Sequence, residues 1–186
     1  MLFLLGCDDP CGSRFSVGDS TIVTSGDMEF ERTAVDAGVC GPAWLDAADL
    51  DGDGALELVV SRFGVQTGTS VPNGAIEAYD LEGDTWSPST VLPEDEGVKW
   101  PNGAEPLDLD DDGDLDLLVG SGFLTCQLVP WTADCGGLTW YENGAGWARH
   151  DIVAPGADGF FHRALRTDVD GDGRLDLVAK IGRAHV

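Results

Sequence analysis

Long apolar runs are missing from this chain: nothing in its 186 residues is apolar over enough length to cross a bilayer as a helix. Basic residues are scarce. Ten Lys and Arg stand against 34 Asp and Glu, a formal net charge of −24. That balance excludes nucleic acid and anionic membrane surfaces as partners. Histidine is almost absent, with three in the chain, and sustained helical periodicity is absent altogether. No Gly-x-Ser-x-Gly elbow, phosphate loop or dinucleotide fingerprint occurs. Yet 42% of the residues are apolar and six are Trp, so the chain is no disordered acidic tail. Its length is that of one domain, or two, with a real core.

The five cysteines are an odd number. Leu4-Leu5-Gly6-Cys7 resembles a bacterial lipobox, although the apolar stretch before it is short and lacks a basic flank. A lipid on Cys7 would leave four cysteines. Cys126 and Cys135 bracket "QLVPWTAD", an excursion that a disulfide could close, and Cys11 with Cys40 is the pairing left over. Disulfides would fit an exported chain; buried free thiols are the alternative.

What the chain does have is a repeat. "ADLDGDGALELV" carries Asp49, Asp51, Asp53 and Glu57; "LDLDDDGDLDLLV" carries Asp108, Asp110, Asp112 and Asp116; "TDVDGDGRLDLV" carries Asp168, Asp170, Asp172 and Asp176. The leading acids are 59 and 60 residues apart. Each cluster runs into an apolar stretch with strand character. Leu56, Leu115 and Leu175 share one register, and Leu58, Leu117 and Leu177 are expected next on the same face. Glycine turns and short strands recur around "GDMEFERTAV", "GDTWSPSTVL" and "GAGWARHDIV". About four short strands per period make one sheet per repeat, the unit of a β-propeller or a related stacked-sheet array. The expected fold class is all-β: propeller blades of four antiparallel strands with Asp-rich loops.

Four carboxylates converging on one point are unfavourable alone, since a pair about 4 Å apart repels by roughly 4 kcal/mol at an effective dielectric of about 20. A hard divalent cation between them removes the difficulty. Asp-x-Asp-x-Asp-Gly offers three side-chain oxygens from alternate positions, with Gly54, Gly113 or Gly173 where the backbone bends. Position seven, Ala55, Asp114 or Arg174, would offer its carbonyl, and position nine, Glu57, Asp116 or Asp176, the closing carboxylate. Calcium fits this all-oxygen set better than magnesium, and zinc and copper would want His or Cys. Position twelve is Val60, Val119 or Ala179, and strands follow, which excludes an EF-hand. Solvated charge alone would not place Gly at position six and Leu at position eight three times.

Asp-x-Asp-x-Asp-Gly-x-x-Asp/Glu-Leu at a period near 60, followed by "LVV", "LLVGSG" or "LVAK", resembles the FG-GAP/VCBS repeat family. The resemblance covers roughly residues 21–180, with "RFG" at residues 62–64 the nearest approach to the Phe-Gly portion. It implies blades of an integrin-α-like propeller, seven in a full ring, with up to three calcium sites between the first two strands of each blade. On this reading 1–14 is a signal remnant and linker, and 15–43 the end of a preceding blade. Blades occupy 44–100 and 101–160, and a further one starts at 161–180. Residues 181–186, "IGRAHV", break the pattern. They can be encoded by ATC GGA AGA GCA CAC GTC, the opening of a common sequencing adapter. A non-native tail is therefore expected, with the natural chain continuing past Lys180.

Chemistry is sparse. His150 is expected at a strand surface, and His162, beside Arg163, in a structural role. Most of Trp44, Trp86, Trp100, Trp140 and Trp147 are expected in the core, with Trp131 an exposed contact. The expected function is a non-enzymatic, calcium-binding scaffold of an exported bacterial surface protein, lipid-anchored through Cys7, presenting loops to a protein or glycan. The alternatives are the propeller portion of an extracellular polysaccharide lyase or hydrolase whose active site lies elsewhere, and a plain spacer.

Overall fold

The computed structural model describes residues 2–5, 22–36, 38–64, 71–122, 136–156 and 159–182. Its elements are all strands. β1 (Leu2–Leu5), β2 (Ile22–Ser25) and β3 (Met28–Asp36) form a sheet in the order β1-β3-β2, with β1 parallel to β3. β4 (Pro42–Ala48), β5 (Glu57–Arg62), β6 (Ala75–Glu82) and β7 (Thr85–Leu92) form an antiparallel four-stranded sheet in chain order. β8 (Gly103–Leu107), β9 (Asp116–Gly120), β10 (Leu138–Glu142) and β11 (Ala148–Val153) form a second. β12 (Phe160–Thr167) and β13 (Asp176–Gly182) pair with each other, and β13 runs past Lys180 through Ile181 and Gly182. Among the described residues there is no helix and no closed ring.

The glycine turns sit where the sequence placed them. Ser25 pairs with Met28, and Glu82 with Thr85, across two-residue Gly-Asp connections. Gly26 (φ 60°) and Gly83 (φ 65°) supply the positive φ that tight hairpins favour at the first turn position.

Successive sheets stack face to face, which explains why the second strand of each reads as a continuous apolar run rather than an alternation. Val59, Ile76, Ala78 and Leu92 of the first four-stranded sheet meet Ala104, Leu117, Val119 and Tyr141 of the second. Leu118 and Leu138 of the second meet Phe161 and Ala164 of β12. Val60 and Tyr79 turn the other way, toward Val35 and Val39. Val59, Val60, Leu117 and Val119 are fully buried. The leucine of position eight departs from expectation. In all three copies the strand begins one residue later, so this side chain belongs to the turn; Leu115 still packs against the core, while Leu56 and Leu175 are 62% and 53% exposed.

Polar contacts join the first strands of the repeats. Arg163 on β12 reaches Glu105 on β8, Nε to Oε1 at 2.8 Å, and its guanidinium lies 5.2 Å from the Trp44 ring centroid on β4. Asn102 Nδ2 lies 2.9 Å from His162 Nδ1 and donates to the His162 carbonyl at 3.2 Å. His162 is therefore tied into this seam, and burial first, then Lys180, lower its pKa. His150 is exposed, 2.7 Å from Glu142 and stacked on Trp140. Trp100 is buried, while Trp44, Trp86, Trp140 and Trp147 are half-buried. Trp131 lies outside the described residues.

Burial raises the Glu105 carboxyl above its ordinary value of 4.5, against the opposing pull of Arg163. The folded chain therefore holds the proton more tightly than the unfolded one, and stability from this group falls as pH climbs through and above 4.5. Urea midpoints at pH 4 and pH 7 should fall less in Glu105→Gln than in the parent. Equal slopes would contradict this. The two equivalent tyrosines should also part company. Tyr79 Oη lies 3.0 Å from Glu77 Oε2 and 3.3 Å from Asp36 Oδ2. Tyr141 Oη is buried without a partner, and burial pushes the phenol up to about 12. Denaturant unfolding should show Tyr79→Phe losing about 1 kcal/mol and Tyr141→Phe losing nothing or gaining.

Candidate metal centre

Each acidic segment is the connection between the first and second strands of its sheet: β4 to β5, β8 to β9, β12 to β13. Strand register delivers the ninth position. Ala48 pairs with Glu57, Leu107 with Asp116, and Thr167 with Asp176, so the closing acid always faces the residue preceding the first Asp.

Within each turn the backbone donates to its own carboxylates in one repeated pattern. The residue after the first Asp donates to the ninth-position acid: Leu50 N to Glu57 Oε2 at 2.6 Å, Leu109 N to Asp116 Oδ2 at 2.9 Å, Val169 N to Asp176 Oδ2 at 3.0 Å. Position five donates to position three, Asp53 to Asp51, Asp112 to Asp110 and Asp172 to Asp170. Position seven, whether Ala55, Asp114 or Arg174, donates its N–H to position five at 2.7–3.1 Å. Gly54 and Gly173 donate to the first Asp, both at 3.0 Å.

This curl requires positive φ twice. Position six is glycine throughout, at φ 91°, 100° and 85° for Gly54, Gly113 and Gly173. Position four is Gly52 (75°), Asp111 (65°) and Gly171 (78°). Aspartate is among the few residues that tolerate this region, which is why the second turn keeps its shape without that glycine.

The carboxylates converge, but not identically. Asp49, Asp51, Asp53 and Glu57 each bring one oxygen within 4.8 Å of the others; so do Asp108, Asp110 and Asp112, and Asp168, Asp170 and Asp176. Asp116 stands outside its group. It is fully buried, with Oδ2 accepting from Leu109 and Oδ1 from Asn143 N at 2.9 Å. Asp172 stands outside the third, its Oδ1 accepting from Arg174 N at 2.8 Å. Cys40 is disulfide-bonded; Cys7, Cys11, Cys126 and Cys135 lie outside the described residues.

A hard cation fits the first turn best. Asp49 Oδ1 is buried with no hydrogen-bond partner, and an acidic oxygen in that state is costly unless a positive group meets it. Glu57 is 4% exposed, and its carboxyl is raised by burial first, with Asp51, Asp80 and Asp49 adding repulsion against the lowering bond from Leu50. The donors are all oxygens, as calcium prefers. Comparison with family models, with curated proteins and with solved structures gives no match.

Two residues absent from the sequence-based set touch the turns. Arg166 on β12 donates to the Asp108 carbonyl and pairs with Asp111 Oδ1 at 2.8 Å. Asn143, after β10, donates to Asp116 and to Leu50 and Leu115 carbonyls. Neither carries a motif; the Arg166 bonds and the bond from Asn143 to Leu50 are made between sheets.

The φ pattern separates two substitutions. Gly113→Ala should cost about 1 kcal/mol or more, since Ala gains nothing in the left-handed region. Asp111→Gly should stay within about 0.5 kcal/mol, trading an exposed ion pair for a relaxed backbone. Urea midpoints of the two variants decide it, and the reverse order would refute the strain argument.

Proposed function

We propose that this chain is a calcium-binding repeat segment, its acidic turns holding one ion each at the junction of the first and second strands. The observation that carries the reading is the recurrence of one hydrogen-bonded turn, with the same strand register, in three successive sheets. The orphaned Asp49 oxygen and the all-oxygen donor sets support it. On this reading the stacked sheets are propeller blades of the FG-GAP/VCBS kind. The ions are structural, and the loops meet a protein or glycan at the bacterial cell envelope or in the extracellular space. The disulfide at Cys40 supports an oxidising compartment.

Calorimetry tests it. Calcium at a hundredfold excess over its dissociation constant should stabilise the chain by about 2.7 kcal/mol per occupied site, and a chelator should remove the gain. Asp51→Asn should abolish the contribution of the first turn while leaving the metal-free melting temperature close to that of the parent. An unchanged melting temperature at millimolar calcium would overturn the reading.

A further inference from the structure

Asn143 stands in the connection from β10 to β11, and every N–H it possesses is committed. Its backbone N–H donates to Asp116 Oδ1 at 2.9 Å. Its side-chain amide donates to the Leu50 carbonyl at 2.9 Å and the Leu115 carbonyl at 3.1 Å. Leu50 lies between Asp49 and Asp51 in the first acidic turn; Leu115 and Asp116 belong to the second. One residue thus bonds to two acidic turns borne by different sheets.

The bonds fall on the parts of each turn that set its shape. Leu50 is 7% exposed, and its peptide is held from both sides: its N–H by Glu57 Oε2 at 2.6 Å, its carbonyl by Asn143. Asp116 is the closing acid of the second turn, and Asn143 occupies the one oxygen that Leu109 leaves free. With both amide hydrogens engaged, one side chain is held by both turns at once, so displacing either turn disturbs its bonds to the other.

We propose that Asn143 is a positioning residue that couples cation binding in the first acidic turn to cation binding in the second. This rests on the calcium reading above. An ion that orders the first turn fixes Leu50, thereby fixes Asn143, and so presents an already ordered second turn to the next ion. Ordering performed once is not performed again, which makes the coupling positive. Among the described residues, the bonds of Asn143 join this pair of turns. At the matching place in the first sheet, two residues after Tyr79 as Asn143 is two after Tyr141, stands Leu81, 49% exposed and without an amide. The third turn has no bond to Asn143; Arg166, on the strand that leads into it, bonds instead to the second turn, at the Asp108 carbonyl and Asp111 Oδ1.

The test uses the full chain, with calcium alone as the probe and hydrogen exchange of residues 49–57, 108–116 and 168–176 as the readout of each turn. Silencing the first turn with Asp51→Asn and Asp53→Asn should weaken calcium protection of the second at least about fivefold, the lower end of ordinary coupling. The same pair of substitutions made in an Asn143→Leu background should weaken it less than about twofold. Leucine is chosen because Leu81 already occupies the matching position of an intact sheet. No weakening of the second turn in the parent overturns the coupling, as does equal weakening in both backgrounds. Absence of calcium protection in all three turns overturns the calcium reading instead. The metal-free arm then still judges Asn143: its replacement should speed exchange at Leu50 and Leu109 together while the third turn stays as it was, and unchanged exchange there refutes its role.

Discussion

Among the described residues, the acidic turns all depend on one backbone pairing, that of the last residue of a sheet's first strand with the ninth position of the turn. Ala48 with Glu57, Leu107 with Asp116 and Thr167 with Asp176 are the same pair made three times. A slip of one residue would turn the closing acid to the opposite face and carry the apolar positions behind it out of the core. Register is thus secured from both sides. The buried faces of β5 and β9 hold it through Val59, Val60, Leu117 and Leu118. The turn holds it through the bond from position two to position nine.

Given that register, the acids are drawn together by their own backbone. Successive peptide N–H groups curl inward and donate to positions one, three and five, forming a concavity of donors that offsets part of the repulsion among the carboxylates. It does not offset all of it. Each donor takes one lone pair, and Asp49 Oδ1 in the first turn is left buried without a partner. The residue types and the fold therefore leave the same deficit, one of positive charge.

What could be read beforehand is what is local. Asp at alternate positions, Gly at six and an apolar run after nine specify the turn and the strand, because all the groups involved lie within a dozen residues of one another. Gly-Asp hairpins were legible for the same reason. The failures are non-local or single-residue. Leu56 and Leu175 look like strand residues by periodicity, yet the pairing ends one residue short of them and the turn claims them. Asp116 and Asp172 look equivalent to their counterparts; Asp116 also accepts from Asn143 N, a partner 27 residues away, and Asp172 lies outside its group although it makes the same bond as Asp53 and Asp112. Asn143 and Arg166 meet partners 93 and 58 residues away, a separation at which spacing carries no signal.

The three turns share a local design but not an environment, and the difference follows from stacking. The ninth-position acid is 4% exposed in the first turn and fully buried in the second, where the next sheet covers the strands. In the third it is only half-buried, on a pair of strands whose apolar residues Leu177 and Val178 remain about two-fifths exposed, at 41% and 42%. Lower surrounding polarity strengthens any interaction between those acids and a cation, and equally strengthens their repulsion without one. Where each sheet stacks on its neighbours, the burial of a turn's acids belongs partly to the sheet beside it. The motif decides which oxygens are offered; the adjoining sheet decides how strongly they need to be met.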